Sequence, residues 1–335
     1  MTPFVIRRYL VLFLCVLPFP AQAEETPWQD AFSADAEQLT RLRSVIIAHQ
    51  GEPVFERVFR GPGLSDPVNI KSLSKTVLAA LVGAAIDRGL IDSVDQPVVD
   101  LLGDRVPDNA TEGVEQITVG HLLSLQAGLE RTSGRNYGRW VVSDNWVEHI
   151  LTRPFVDEPG GRMLYSSGST HLLSAVLTEA SGKSTLALAR EWLGEPLNIA
   201  IPAWPQDPQG IYFGGNDMRL SPRALLVFGE MVRRQGRHGE RQVLSADWVA
   251  ESWQGRGRSA FTGDPYGYGW FALELAGERA YYGRGFGGQV LYVLPDLGVT
   301  AVFTADPEPP SPGSRYLRQI HGLLASHVIP ALRAD

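Results

Sequence analysis

Between residues 73 and 86 the chain is apolar on nearly every side, with Val77, Leu78, Leu81, Val82 and Ile86 among its members. This pattern predicts a buried helix rather than one lying on a surface. Asp87-Arg88-Gly89 closes it, the glycine suiting the position just past a helix C-terminus. Upstream, a helix is predicted over 31–43, a buried strand over 45–48, a turn at Gln50-Gly51-Glu52 and a second strand over 54–59, which makes a hairpin. At the other end, short apolar runs predict strands over 266–275, 280–283, 289–294 and 299–304. Pro295-Asp296-Leu297-Gly298 turns between the last two, and a closing helix covers 314–329. The intervening stretch reads as helical over 119–126, 143–151, 170–180, 185–193 and 223–234.

Strands thus come from both chain ends and helices from the middle. Such segregation predicts an α+β fold: a sheet domain built from 24–89 and 241–335, with a mainly helical domain of 90–240 inserted beside it. No internal repeat or low-complexity tract is visible.

The N-terminus carries Arg7-Arg8, an apolar run over 9–19, and Ala21-Gln22-Ala23 before Glu24. That is the layout of a secretory signal peptide over 1–23, too short to span a bilayer, so no membrane association is expected after cleavage. The general secretory route is favoured over a twin-arginine one, because the stretch after Arg8 is strongly apolar. Cys15, the sole cysteine, lies inside this leader, so the mature chain has no thiol chemistry and no disulfide. The formal charge is −7, becoming −9 once Arg7 and Arg8 leave, which gives no basic footprint for nucleic acid. None of the seven histidines has metal-ligand spacing, and neither metal nor cofactor is expected.

Candidate chemistry concentrates at Ser72-Leu73-Ser74-Lys75, at the mouth of the apolar helix. Residues three apart on a helix are neighbours, so Lys75 can reach the Ser72 oxygen. A cation in a first turn opposes the helix dipole at a cost of about 0.3–1 kcal/mol, which asks for a reason. Lysine is also scarce, with Lys71, Lys75 and Lys183 the only three. Arginine stays protonated, whereas a desolvated lysine near a helix N-terminus has its pKa lowered from about 10.4 towards neutrality. A neutral Lys75 amine would deprotonate Ser72, making it an activated nucleophile.

Two further segments add to the picture. Tyr165 follows the turn-rich Pro159-Gly160-Gly161-Arg162, just ahead of the helix predicted from Thr170. It is placed on a loop; alone it reads as a packed aromatic, and with Ser72 and Lys75 as a proton shuttle. Gly283-Arg284-Gly285-Phe286-Gly287-Gly288-Gln289 leads into a strand, not a helix, so it is not a dinucleotide loop. Its glycines either let backbone approach a ligand closely or form a structural turn. Ser143-Asp144-Asn145 spells a second motif of class A β-lactamases, but it also reads as a helix N-cap before Trp146, Val147 and Ile150, and the cap is favoured. No G-x-S-x-G elbow occurs.

These residues, in this order, resemble the serine β-lactamase-related hydrolases: class C β-lactamases, D-Ala-D-Ala carboxypeptidases, related esterases and 6-aminohexanoate-dimer hydrolases. Ser72-x-x-Lys75 is similar to the first motif, Tyr165-Ser166-Ser167 to Tyr-x-Asn, and Phe286-Gly287-Gly288-Gln289 to the third, strand-borne motif. Ile117 to Leu123 and Tyr165 to Leu173 look closest to the 6-aminohexanoate-dimer-hydrolase and esterase branch. The resemblance implies an antiparallel sheet flanked by helices plus an all-helical domain, with the cleft between them. It implies Ser72 as nucleophile, Lys75 and Tyr165 as its proton-handling partners, and the backbone N–H groups of Ser72 and Gln289 as the oxyanion hole. Ser167, Asn216, Phe286, Gly287 and Gly288 would line the substrate, although Asn216 equally suits a turn. Tyr137, Trp140, Trp204 and Tyr212 are either core or part of an acyl pocket.

Two departures stand out: Ser167 replaces the asparagine of the second motif, and Phe286 replaces the lysine or histidine of the third. Loss of that cation weakens the case for a substrate carboxylate. Arg284, two residues earlier, compensates only if no glycine-induced bulge intervenes, which leaves its role open.

The expectation is therefore a periplasmic or secreted serine hydrolase that cleaves a small-molecule ester or amide through an acyl-enzyme, with its oligomeric state unspecified. A β-lactamase or D-Ala-D-Ala carboxypeptidase, and a non-catalytic envelope protein binding ligands in the same cleft, are the alternatives. Intact mass or N-terminal sequencing of the exported protein should begin at Glu24; any other start overturns the leader assignment.

Overall fold

The computed structural model describes residues 27–308, 310 and 313–334; the leader over 1–23, with Cys15, lies outside the described residues. The first helix, α1, runs Pro27–Glu37, so the predicted span of 31–43 was too far along the chain. Phe32, Ala36, Leu39 and Leu42 are all buried, and their spacing imitates a helical stripe that continues to 42. Leu42 instead belongs to a strand, where it pairs with Ala305, and that tertiary pairing overrides the local periodicity.

Strands β1 (Leu42–His49) and β2 (Glu52–Val58) form the predicted hairpin. Near the other end come β3 (Gly257–Arg258), β4 (Pro265–Tyr266), β5 (Phe271–Leu275), β6 (Glu278–Gly285), β7 (Gln289–Leu294) and β8 (Val299–Ala305). All eight join one antiparallel sheet in the order β2-β1-β8-β7-β6-β5-β4-β3, so the two chain ends meet where β1 pairs with β8, Ile46 opposite Val302. The fold is α+β, as expected.

Alternating side chains send Ile46, Leu291, Val293 and Val302 to one face and Val45, Ile47, Val290, Tyr292 and Phe303 to the other. Helix α2 (Ser74–Asp87) covers the first face, and α1 covers the second. A sheet buried on both faces needs near-continuous apolar strands, which explains why every residue of β7 and β8 is buried. In the middle of the chain, α3 (Ser167–Ser181) packs against α2, and α4 (Pro222–Arg233) adds to the cover over β7 and β8. The closing helix α5 (Gly313–Leu323) lies beside α1; one wide π-helical turn (Leu324–Val328) carries the chain past Pro330 into a last turn ending at Arg333, beyond the predicted stop at 329. Among the described residues no helix is long and apolar enough to cross a membrane.

One predicted strand, 266–275, is broken. The chain leaves the sheet between Tyr266 and Phe271 because Gly269, in the left-handed region at φ +80°, brings its carbonyl to Thr76 of α2. Thr76 Oγ1 donates to Gly269 O at 2.8 Å. The same intimacy holds along β6, where a Cβ at Gly283 would stand 2.3 Å from Thr76 Oγ1 and 2.5 Å from Leu73 Cδ1. This interior strand therefore rests directly on the start of α2.

Gly283→Val should cost about 1–3 kcal/mol through overpacking, read as a lowered urea midpoint at unchanged slope. An unchanged midpoint would show that β6 and α2 do not need this close approach.

Candidate active site

Ser72 sits in a single 3-10 turn (Lys71–Leu73) that runs straight into α2. The residue before it, Lys71, holds a left-handed backbone at φ +51°, uncommon for a side chain that is not glycine or asparagine. Its surroundings secure it. Lys71 N donates to Asn69 Oδ1 at 2.8 Å, and Lys71 Nζ and Asn69 Nδ2 both reach Asp217 Oδ1, at 3.1 and 2.7 Å. Ser74 Oγ donates to Lys71 O at 2.5 Å while accepting from Met218 N at 3.1 Å. The turn bearing Ser72 is thus tied to the 217–218 segment from both sides.

Lys75, one helical turn into the core, is only 2 % exposed. Its Nζ lies 3.3 Å from Ser72 Oγ, 3.1 Å from Ser167 Oγ and 2.6 Å from Gly215 O, and it stands 4.9 Å from the centre of the Tyr165 ring. None of these is a carboxylate. Burial lowers the lysine pKa below 10.5, against an opposing pull from Tyr165 and, more weakly, Asp217. A neutral amine fits the geometry: two N–H bonds go to Gly215 O and Ser167 Oγ, leaving the lone pair for the Ser72 hydroxyl proton.

Tyr165 lies on the loop before α3, as predicted. Burial would raise its pKa, but the Lys75 charge, a hydrogen bond with Ser72 and the Arg284 charge outweigh it and bring the phenol below 10.0. Lys75 and Tyr165 therefore hold their protons as a coupled pair rather than as independent groups.

Ser167 occupies the first turn of α3 and does what its short side chain permits, donating nothing long-range but meeting Lys75 directly. It is steadied by Ser133, whose Oγ accepts from Ser167 N at 2.8 Å and lies 3.2 Å from Ser167 Oγ. Thr132 adds a second anchor, accepting from Gly168 N at 2.8 Å. Gly215 must be glycine for its carbonyl to reach Lys75, since a Cβ there would stand 2.4 Å from Thr170 Oγ1 and 2.6 Å from Ser167 O. Ser133, Gly215 and Asp217 were not singled out from sequence; the Gly214-Gly215 doublet was the one visible signal.

Other candidates fall elsewhere. Asn216 donates to Tyr137 OH at 3.1 Å and to Asp217 Oδ2 at 3.2 Å, away from the pocket wall beside Ser72. Phe286, Gly287 and Gly288 do line that pocket together with Ser72, Tyr165 and Arg284. Gln289 does not: it is buried at the start of β7, with its side chain exchanging hydrogen bonds with the Ala305 backbone at 2.7 and 3.1 Å. Trp140 and Trp204 are core residues, while Tyr137 and Tyr212 pack partly buried against the same core. Asn145 caps the helix Trp146–Leu151 by accepting from Glu148 N at 3.2 Å, the role favoured for the Ser143-Asp144-Asn145 run. Among the described residues no cluster of three or more histidine or acidic side chains could hold a metal ion.

If Lys75 is the base, kcat/KM rises with pH as its amine loses the proton and levels off below 10.5. Lys75→Arg, which keeps the charge but cannot shed it, should lower kcat by about 10²–10⁴-fold with the circular-dichroism spectrum retained. A plateau reached only near 10.5, or an active Lys75→Arg protein, would remove Lys75 from this role.

Comparison with known proteins agrees with this architecture. A family model described as Beta-lactamase matches residues 36–325. Among solved structures, a proposed 6-aminohexanoate-dimer hydrolase from Bacillus anthracis superposes with a TM-score of 0.72 at 18% identity, covering 92% of this chain and 82% of that one. EstCE1, a hydrolase with promiscuous acyltransferase activity, gives 0.72 at 18% identity over 89% of this chain and 98% of its own. A family VIII carboxylesterase gives 0.70 at 19%, with 90% and 97% covered. At such identities the likeness is one of fold.

Proposed function

The chain belongs to the Beta-lactamase family, and from that premise we propose that it is an exported serine hydrolase that opens a small-molecule ester or amide through a covalent acyl-enzyme. The observation that carries this reading is Lys75: a lysine buried to 2 % exposure with no carboxylate partner, 3.3 Å from a serine hydroxyl. An unpaired ammonium there would be expensive, and a neutral amine beside Ser72 is a base. Carboxylesterase, hydrolase and 6-aminohexanoate-dimer hydrolase names among the structural relatives support the substrate class.

In the proposed reaction Ser72 Oγ attacks the substrate carbonyl carbon while its proton passes to Lys75 Nζ. The carbonyl π pair moves onto oxygen, giving an oxyanion that needs two donors. One is the Ser72 N–H. For the other, the packing of Gly285 against Ile70 O, which leaves 2.1 Å for any Cβ, favours the peptide that follows it, with the Phe286 N–H, over that of Gln289. Collapse expels the leaving group, which takes a proton from Tyr165 as Tyr165 is recharged from Lys75. Water then attacks the acyl-serine by the reverse sequence, returning the proton to Ser72. Ser167 and Gly215 keep the Lys75 amine aimed. In this reading the reacting cleft would lie between the unit made of 24–89 and 241–335 and the helical unit of 90–240.

With p-nitrophenyl butyrate, the mature protein should give a burst of about one nitrophenolate per chain and a single acyl adduct by intact mass. Ser72→Ala should show neither, with turnover reduced by at least about 10³-fold and folding intact. A burst or adduct that survives in Ser72→Ala would overturn the assignment of the nucleophile.

A further inference from the structure

The two neutral acceptors that aim Lys75 come from separate segments, Ser167 Oγ at the start of α3 and the Gly215 carbonyl. One stripe of α3 joins these segments. Ser167, Thr170, His171 and Ser174, at the three- and four-residue spacing that shares a helix face, all meet the stretch 204–215. A Cβ on Gly214 would stand 2.2 Å from Thr170 O, and one on Gly215 2.4 Å from Thr170 Oγ1. Ser174 Oγ donates to Tyr212 O at 2.6 Å.

The remaining contact is a pair of titratable side chains that the proposed reaction does not use. His171 Nε2 lies 3.0 Å from Asp207 Oδ2, and both side chains are at 0 % exposure. A carboxylate accepts, so the imidazole N–H is the donor. Asp207 Oδ1 accepts from Gln209 N and Ile211 N, each at 2.8 Å, which closes the turn leading to Gly214-Gly215. The imidazole packs edge-on among Trp140, Trp146 and Phe213, with ring centres 5.2 to 5.9 Å away. Its Nδ1 is buried with no hydrogen-bond partner among the described residues, so Asp207 is the polar group that orients the ring. No other charged side chain occurs in 204–215. A fully buried pair adds little net stability over apolar groups of similar volume, so this one points to a need for a single arrangement. Ser167 stands one helical turn before His171, and Gly215 follows the turn that Asp207 closes. One bond thereby sets both Lys75 acceptors against each other.

We propose that His171 and Asp207 are a positioning pair for the base: by locking α3 to the 204–215 stretch they hold Ser167 Oγ and Gly215 O at the spacing that keeps the Lys75 amine dry and aimed at Ser72. The inference rests on the serine-hydrolase reading and adds to it two residues that do not line the pocket beside Ser72. Loosening the pair admits water to Lys75. Burial is the main influence holding that amine below 10.5, against Tyr165 and Asp217, so the proton would return to it.

The test reads Lys75 directly. Lys71, Lys75 and Lys183 are the only lysines, so lysine labelled with carbon-13 at the ε position gives three resonances, and Lys75→Arg identifies the one to follow. His171→Leu fills the aromatic site but cannot donate. In that variant the Lys75 titration midpoint should rise by about one pH unit or more. With p-nitrophenyl butyrate its kcat should fall about 10–100-fold while KM stays within about twofold. His171→Gln, whose amide nitrogen can stand where Nε2 stands, should recover most of both. If the Asp207 charge left unpaired by leucine prevents folding, His171→Leu/Asp207→Asn, which keeps the Oδ1 bonds without that charge, takes its place. A folded leucine variant whose midpoint does not rise overturns the inference whatever its melting temperature. So does an active wild type whose kcat is unchanged by leucine, or a glutamine variant that behaves as leucine does. A wild type without turnover, in which the Lys75 midpoint still rises with leucine and returns with glutamine, would count against the hydrolase reading and support the positioning role.

Discussion

Everything around Ser72 is organised by the need to keep one amine dry. Lys75 reaches the core because α2 is buried along almost its whole length, and a charge placed there without a carboxylate would be a heavy penalty. The surrounding structure answers with neutral acceptors drawn from two distant segments, Ser167 at the start of α3 and the Gly215 carbonyl. Each acceptor has its own support: Ser133 and Thr132 hold the first turn of α3, and the 217–218 segment is tied back to Lys71 and Ser74. The site is therefore a hydrogen-bonded seam joining α2, α3 and the Gly214–Met218 stretch, and its precision comes from packing as much as from the reactive groups.

How much of this could be read from the chain follows the range of each contact. Ser72 and Lys75 are three apart on one helix, so their meeting is a local matter and was legible from spacing. The two-ended origin of the sheet was legible too, because the apolar runs of β1, β7 and β8 are strong and short. The extent of α1 was misread because Leu39 and Leu42 continue a helical rhythm for a different reason, the claim of the sheet on Leu42. Ser133 carried no signal at all, and the Gly214-Gly215 doublet marked a tight spot without saying what it meets, until folding sets them against Ser167 and Lys75.

The third segment shows the same limit more sharply. The register of β6 against β7, with Gly285 opposite Gln289, puts Phe286 in the turn and Arg284 on the strand, a distinction that spacing alone does not make. Strand parity can be counted only when the end of the strand is known, and the glycines that allow β6 to touch α2 also erase the apolar alternation that would have marked that end. A single-residue uncertainty there exchanges a neutral cleft for a charged one.

The pairing of β1 with β8 also governs when the molecule can exist at all. Ile46 and Val302 are separated by about 250 residues of chain, and their strands are adjacent at the heart of the sheet. Contacts of such long range close late, after a large loss of chain entropy, and slow the search for the native state. A nascent polypeptide with Ser72 and Lys75 already made has neither the β8 partner of β1 nor the support of β6 until residues beyond 300 emerge. The geometry around Ser72 thus depends on strands made long after the serine and the lysine themselves.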